Sequence, residues 1–130
     1  MPKALSSGCI VQGFCVNLLS MKQYVIDGFT LKDYTDLKQY FDTYLEAATV
    51  GGIYWLELDP DILTNTQAAH KACAPHVFAL MLEETALSCE LLVRIKTNIR
   101  CDCMGYATVE QRNWLIEWAD AVLEKLSICL

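Results

Sequence analysis

Residues 76–106, HVFALMLEETALSCELLVRIKTNIRCDCMGY, decide the fold. Apolar side chains recur at every second position on either side of a polar break, and a period of two is the signature of a half-buried strand. A four-residue hairpin loop at Glu83 to Ala86 puts Phe78, Leu80, Leu82, Leu87, Cys89, Leu91, Val93 and Ile95 on one face. A three-residue loop at Lys96-Thr97-Asn98, with Asn98 tolerating the left-handed backbone, adds Ile99, Cys101 and Cys103 to that face. Two independent loops thus produce a single apolar surface, and a three-stranded antiparallel meander is expected.

On the C-terminal side, Thr108 with Gln111 three residues on is a capping-box pattern that starts a helix. Its stripe of Leu115, Trp118, Ala119, Val122, Leu123 and Leu126 is suited to cover the meander, and Trp114 lies off that stripe. On the N-terminal side, Pro75 stops a weaker helix that Asp59-Pro60 begins, with Ala68, Ala69, Ala72 and Cys73 as a small-residue face. Before it comes a short aromatic strand, Ile53 to Leu58. Further back, Thr30 and Asp33 cap a helix whose apolar positions Leu31, Tyr34, Leu37, Phe41, Tyr44, Leu45 and Ala48 fall three and four apart, with Gly51 and Gly52 ending it. Gln23 to Asp27 reads as a strand, as does the Val/Ile/Phe/Leu-rich segment from Cys9 to Leu19.

No repeat, low-complexity tract or linker divides residues 1–130. The expected fold is a single α+β domain, a mostly antiparallel sheet of five or six strands with a C-terminal three-stranded meander and helices packed on one face. This order of elements resembles that of small dimeric secretion-chaperone-like folds. The likeness is architectural, carried by no motif, and implies a homodimer that binds another protein.

Composition narrows the function classes. The chain has 130 residues, 16 acidic against 10 basic, 54% hydrophobic residues and 7 Cys. A formal charge of −6 repels phosphate, so no nucleic acid is expected as a partner. A mean hydropathy of +0.26 in so short a chain leaves more apolar surface than one small core hides, which points to self-association or a protein partner. The uncharged stretch from Ala4 to Met21 is broken by Gln12 and Asn17 and lacks a small-x-small cleavage site, so neither a signal peptide nor a membrane span is expected. Leu5-Ser6-Ser7-Gly8-Cys9 has too few residues before its cysteine for a lipoprotein signal. An odd number of cysteines, mostly inside apolar runs, reads as buried free thiols and places the protein in the cytoplasm.

Three groups of residues carry candidate chemistry. His70, Cys73 and His76, followed by Cys101 and Cys103, are the right residue types for zinc. Their spacing argues for core packing instead: Pro75 separates His76 from the helix of His70, positions along that helix rotate apart, and Cys101 and Cys103 point into an apolar face that disfavours thiolates. Arg94 and Arg100 stand opposite each other on the outward face with Lys96 just beyond, a pattern for an anion or an acidic partner unless Glu90 and Asp102 supply the counter-charge. Tyr40 and Trp114 lie off their helical stripes and are candidate interface anchors. Glu57, Asp59 and Asp61 could suggest a paired-carboxylate or hard-cation site, but Asp59 and Asp61 are already explained by helix capping and the helix dipole. No nucleophile triad, phosphate loop or dinucleotide fingerprint occurs. The reading that ranks first is a small non-enzymatic cytoplasmic interaction domain of adaptor or chaperone type, without cofactor, that binds itself and another protein. An anion sensor using the arginine pair and a zinc or redox protein using the His/Cys group are its alternatives.

Overall fold

The structure, a computed structural model, describes residues 22–49, 51–96 and 101–129. In chain order these form β1 (Gln23–Asp27), α1 (Leu31–Tyr44), β2 (Glu46–Ala47), β3 (Ile53–Glu57), a 3₁₀ turn (Pro60–Ile62), α2 (Asn65–Ala69), a second 3₁₀ turn (Lys71–Cys73), β4 (His76–Leu82), β5 (Ala86–Glu90), β6 (Leu92–Ile95), β7 (Gly105–Tyr106) and α3 (Val109–Lys125). The seven strands make an antiparallel sheet in the order β1-β5-β4-β3-β2, with β6 pairing with β4 and β7. The fold is therefore α+β with an antiparallel sheet. The strand expected at Cys9 to Leu19 and the tip Thr97-Asn98, with Ile99 and Arg100, lie outside the described residues.

The central hairpin shows why its apolar face is continuous. Leu82 stands opposite Leu87, the register expected, but Glu83 and Ala86 also exchange backbone bonds at 2.8 and 3.4 Å, so the turn is the two residues Glu84 and Thr85 and not the four-residue loop expected. Farther down, Leu80 faces Cys89 while Val77 faces Arg94. A step of three residues along β4 is thus matched by a step of five along its partner, and the partner bulges and splits into β5 and β6. A two-residue slip is one full pleat repeat, so alternation survives it, and Leu91, Val93 and Ile95 stay buried with Phe78, Leu80, Leu82, Leu87 and Cys89. The third strand departs from expectation. Of its described residues Gly105 and Tyr106 alone pair with β6, and Cys101 sits in a turn where the Met104 N–H donates to its carbonyl at 3.0 Å.

Both long helices open on capping boxes, Thr30 with Asp33 and Thr108 with Gln111. Helix α1 stops at Tyr44, short of the expected Ala48, because Glu46 and Ala47 pair with Trp55 and Tyr54. Sheet pairing overrides helical periodicity there. Gly52, at φ +84°, makes the tight turn into β3 that closes this pairing. The expected helix from Pro60 to Ala74 is broken into three short pieces. Thr64, Asn65 and Thr66 favour caps over helix interiors, and Thr64 starts a new capping box with Gln67. Leu37 and Phe41 of α1 and Leu115, Ala119, Val122 and Leu123 of α3 join the sheet residues Tyr24, Ile26, Tyr54, Leu56, Phe78 and Leu80 in one core. Phe41 lies 5.3 Å from Tyr54 between ring centroids, and the Tyr24 hydroxyl donates to Asp120 at 3.1 Å.

Candidate metal centre

The broken middle segment is what builds the site. In a 3₁₀ turn residues three apart eclipse one another, where on an α-helix they are offset by about 60°. His70 precedes such a turn, and the Cys73 N–H donates to the His70 carbonyl at 3.0 Å, which stacks the two side chains. The turn before β7 brings Cys101 and Cys103 against them from the other end of the hairpin. One ligand atom each from His70, Cys73, Cys101 and Cys103 lies within 4.8 Å of every other. The spacing argument therefore holds for His76, which stays out of the group, and fails for the cysteines, because it placed Cys101 and Cys103 on a strand facing the apolar core.

The site is half-exposed on one side and closed on the other. Cys103 is buried, while His70, Cys73 and Cys101 are half-buried. His70 Nδ1 stands 2.9 Å from Cys101 Sγ, so Nδ1 is the nitrogen turned inward. The Cys101 thiol is held down at about 7, first by the backbone N–H and then by the side chain of Cys103, with His70 and Cys73 adding to the effect. Burial, aided by the neighbouring thiols of Cys101 and Cys73, pushes the Cys103 thiol up to about 12. All four cysteines Cys73, Cys89, Cys101 and Cys103 are free.

These donors fit one ion. A tetrahedron with metal–sulfur bonds of about 2.3 Å has edges of about 3.8 Å, so ligand atoms already within 4.8 Å need only a slight adjustment to close on it. One imidazole and three thiolates are the chemistry of zinc, and with four protein ligands the shell is complete, which marks a structural site.

His76 does not join the cluster. It is carried off as the first residue of β4, 3% exposed, with both ring nitrogens buried and no hydrogen-bond partner among the described residues. Burial, and secondarily the charge of His70, pushes its pKa down. Arg94 is held by Glu90 through Nε at 2.7 Å and Nη2 at 3.2 Å, and Lys96 bonds Glu46 and lies 3.6 Å from Glu57. The local carboxylates thus supply the counter-charge at these two cations, and Arg100 lies outside the described residues. Tyr40 and Trp114 are half-buried against the core, Trp114 with its ring 6.4 Å from Phe78 and Tyr40 under the Lys125 ammonium. Asp59 caps the Asp61 N–H at 3.0 Å.

Two features were missed in the sequence. On the sheet face opposite Phe78 and Leu80, a groove of about 340 Å³ is lined by Ile53, Trp55, Ala79 and Met81 with Gln23, Ser88, Glu90 and Arg94 around them. Period-two alternation in β3 and β4 carries that signal, since Trp55 and Met81 sit on the face turned from the core. Cys129 is disulfide-bonded, and its partner lies outside the described residues. The expectation that all seven cysteines remain free thiols is wrong at this one.

Among the described residues no helix is long and apolar enough to cross a membrane. No family model matches the sequence, and neither curated proteins nor solved structures provide a match. The likeness to secretion-chaperone folds gains no support from them.

Proposed function

We propose that the protein is a non-enzymatic zinc-binding module in which one ion, held by His70 Nδ1 and the thiolates of Cys73, Cys101 and Cys103, pins the turn after α2 to the turn before β7. The observation that carries this reading is the meeting of four ligand atoms within 4.8 Å from two segments about 30 residues apart. Neither segment has regular structure of its own beyond a single turn, and such segments are held in place by what they bind. A complete protein shell leaves no position for water or substrate, so the ion serves structure and not catalysis. Metal analysis of protein purified under reducing conditions tests it. One zinc per chain is expected, together with thiolate-to-cobalt absorption on cobalt substitution, and both should vanish in Cys73→Ser and Cys101→Ser but survive Cys89→Ala. Metal-free protein that takes up neither ion would sink the reading.

The groove on the outer sheet face supports a second element of the reading, that the module pairs with a protein, first of all a second copy of itself. Met81 is 43% exposed in an apolar floor, and the rim cation Arg94 is already neutralised by Glu90. A floor of that kind without free rim charge suits an identical face more than a strongly charged partner. Light scattering on the wild type and on Met81→Glu tests it: a dimer that becomes a folded monomer supports the pairing, and a wild-type monomer at high micromolar concentration refutes it. Three free thiols at the cluster favour a reducing compartment, the cytoplasm, and the disulfide of Cys129 argues the other way.

A further inference from the structure

Gln67 and Gln111 are the third residues of their helices and close the capping boxes at Thr64 and Thr108. Capping uses only the side-chain oxygen, which accepts from the cap N–H at 3.0 Å for Thr64 and 3.1 Å for Thr108. A residue with that role alone sits at the surface, yet Gln67 is 4% exposed and Gln111 is fully buried. Burial obliges the amide nitrogens to find acceptors as well. Gln111 Nε2 donates to the Ile62 carbonyl at 2.9 Å and to Gln67 Oε1 at 2.8 Å. With its oxygen so occupied, Gln67 must turn its own Nε2 outward, and that nitrogen donates to the Cys103 carbonyl at 3.3 Å. The chain of bonds runs from the start of α3, through both amides, to the backbone of a ligand residue.

We infer that Gln67 and Gln111 are positioning residues of the metal site, and that through them metal occupancy and the order of the first turn of α3 are coupled. The inference rests on the zinc reading. Groups that orient a ligand's backbone or ring typically account for 10- to 100-fold in metal affinity. Coupling between two sites is reciprocal, so an ion that fixes Cys103 also fixes the amide relay and the cap at Thr108. Gln111→Glu separates this role from plain capping. The carboxylate still accepts the Thr108 N–H but has no proton for Gln67 or Ile62.

The test is hydrogen exchange on the full chain with and without zinc, alongside zinc dissociation constants from chelator competition. Zinc is expected to slow exchange at residues 108–112 as well as at 70–73 and 101–103. Gln67→Met and Gln111→Glu are expected to weaken zinc binding about 10- to 100-fold, while Tyr24→Phe, which breaks the buried bond to Asp120, leaves affinity near wild type. Zinc that binds and protects only the ligand segments overturns the coupling, as do variants that match Tyr24→Phe. Should a variant fail to fold, exchange in the wild type decides alone. A chain that binds no zinc at all strikes the parent reading, a result the metal analysis reports separately.

Discussion

The central hairpin and the His/Cys corner that adjoins the first residue of β4 are held by different physics. The hairpin of β4 with β5 and β6 buries a continuous row of apolar side chains, Phe78, Leu80, Leu82, Leu87, Cys89 and Val93, and its backbone bonds are those of the sheet. The corner consists of a five-residue helix, two 3₁₀ turns and a two-residue strand, and what meets at its centre is three thiols and an imidazole. Apolar burial needs no ligand. A cluster of ionisable donors is cohesive only when a cation neutralises the thiolates it brings together. The same chain thus folds one region by exclusion of water and, on the reading proposed here, the other by coordination.

The contrast breaks most sharply at Phe78. This ring is wholly buried between the sheet and Trp114, and Phe78→Ala is expected to cost about 3–5 kcal/mol in chemical denaturation. The cost should be the same with and without zinc, since no ligand is touched. Next in size is the metal itself. At a free zinc concentration a hundred times its dissociation constant, binding adds about 2.7 kcal/mol, and chelation or Cys101→Ser should remove it. A thermal melt that ignores chelator would show the corner to be as self-sufficient as the hairpin.

That division also explains what could be read in the sequence. Period two in residues 76–95 survives a two-residue bulge because parity is kept, so the buried face was legible residue by residue although the strand break was not. Capping boxes at Thr30 and Thr108 were legible because they depend on a spacing of three within one turn. The corner was misjudged where local conformation departs from the two regular periods. His70 and Cys73, three apart, share a face on an α-helix and eclipse on a 3₁₀ turn, so their meeting could be read, but nothing in the sequence marks the turn that brings Cys101 and Cys103 to them. Cys101 and Cys103 fit a strand pattern but occupy a turn. The sequence did group His70, Cys73, Cys101 and Cys103 as a set of the right chemical type, and it added His76, which stands apart from the other four.

Acid should act most strongly on the corner. The Cys103 thiol, pushed up to about 12, reaches zinc only by losing its proton, and the Cys101 thiol, at about 7, is half protonated near neutrality. Zinc binding therefore releases protons, and the dissociation constant should rise as pH falls, by up to about tenfold per pH unit for each proton released. Competition titrations between pH 6 and 8 measure the slope, and a flat profile would mean the thiols are not the ligands.

His76 sharpens the comparison with the smallest expected effect. Its folded pKa is depressed by burial, so the unfolded chain binds the proton more tightly. The stability this contributes is fully present above the ordinary histidine pKa of about 6.5 and is lost as pH falls through the depressed value. His76→Leu removes a proton acceptor whose two ring nitrogens lack partners among the described residues and offers the core an apolar side chain instead. At neutral pH the change should be within about 1 kcal/mol of zero, because discarding an unsatisfied buried group offsets the imperfect fit. Below pH 6.5 the variant should lose less stability than the wild type in apo protein, where zinc release cannot contribute. Zinc stoichiometry should remain one per chain. A variant that loses its zinc would make His76 a ligand after all and move the first residue of β4 from the hairpin's physics to the corner's.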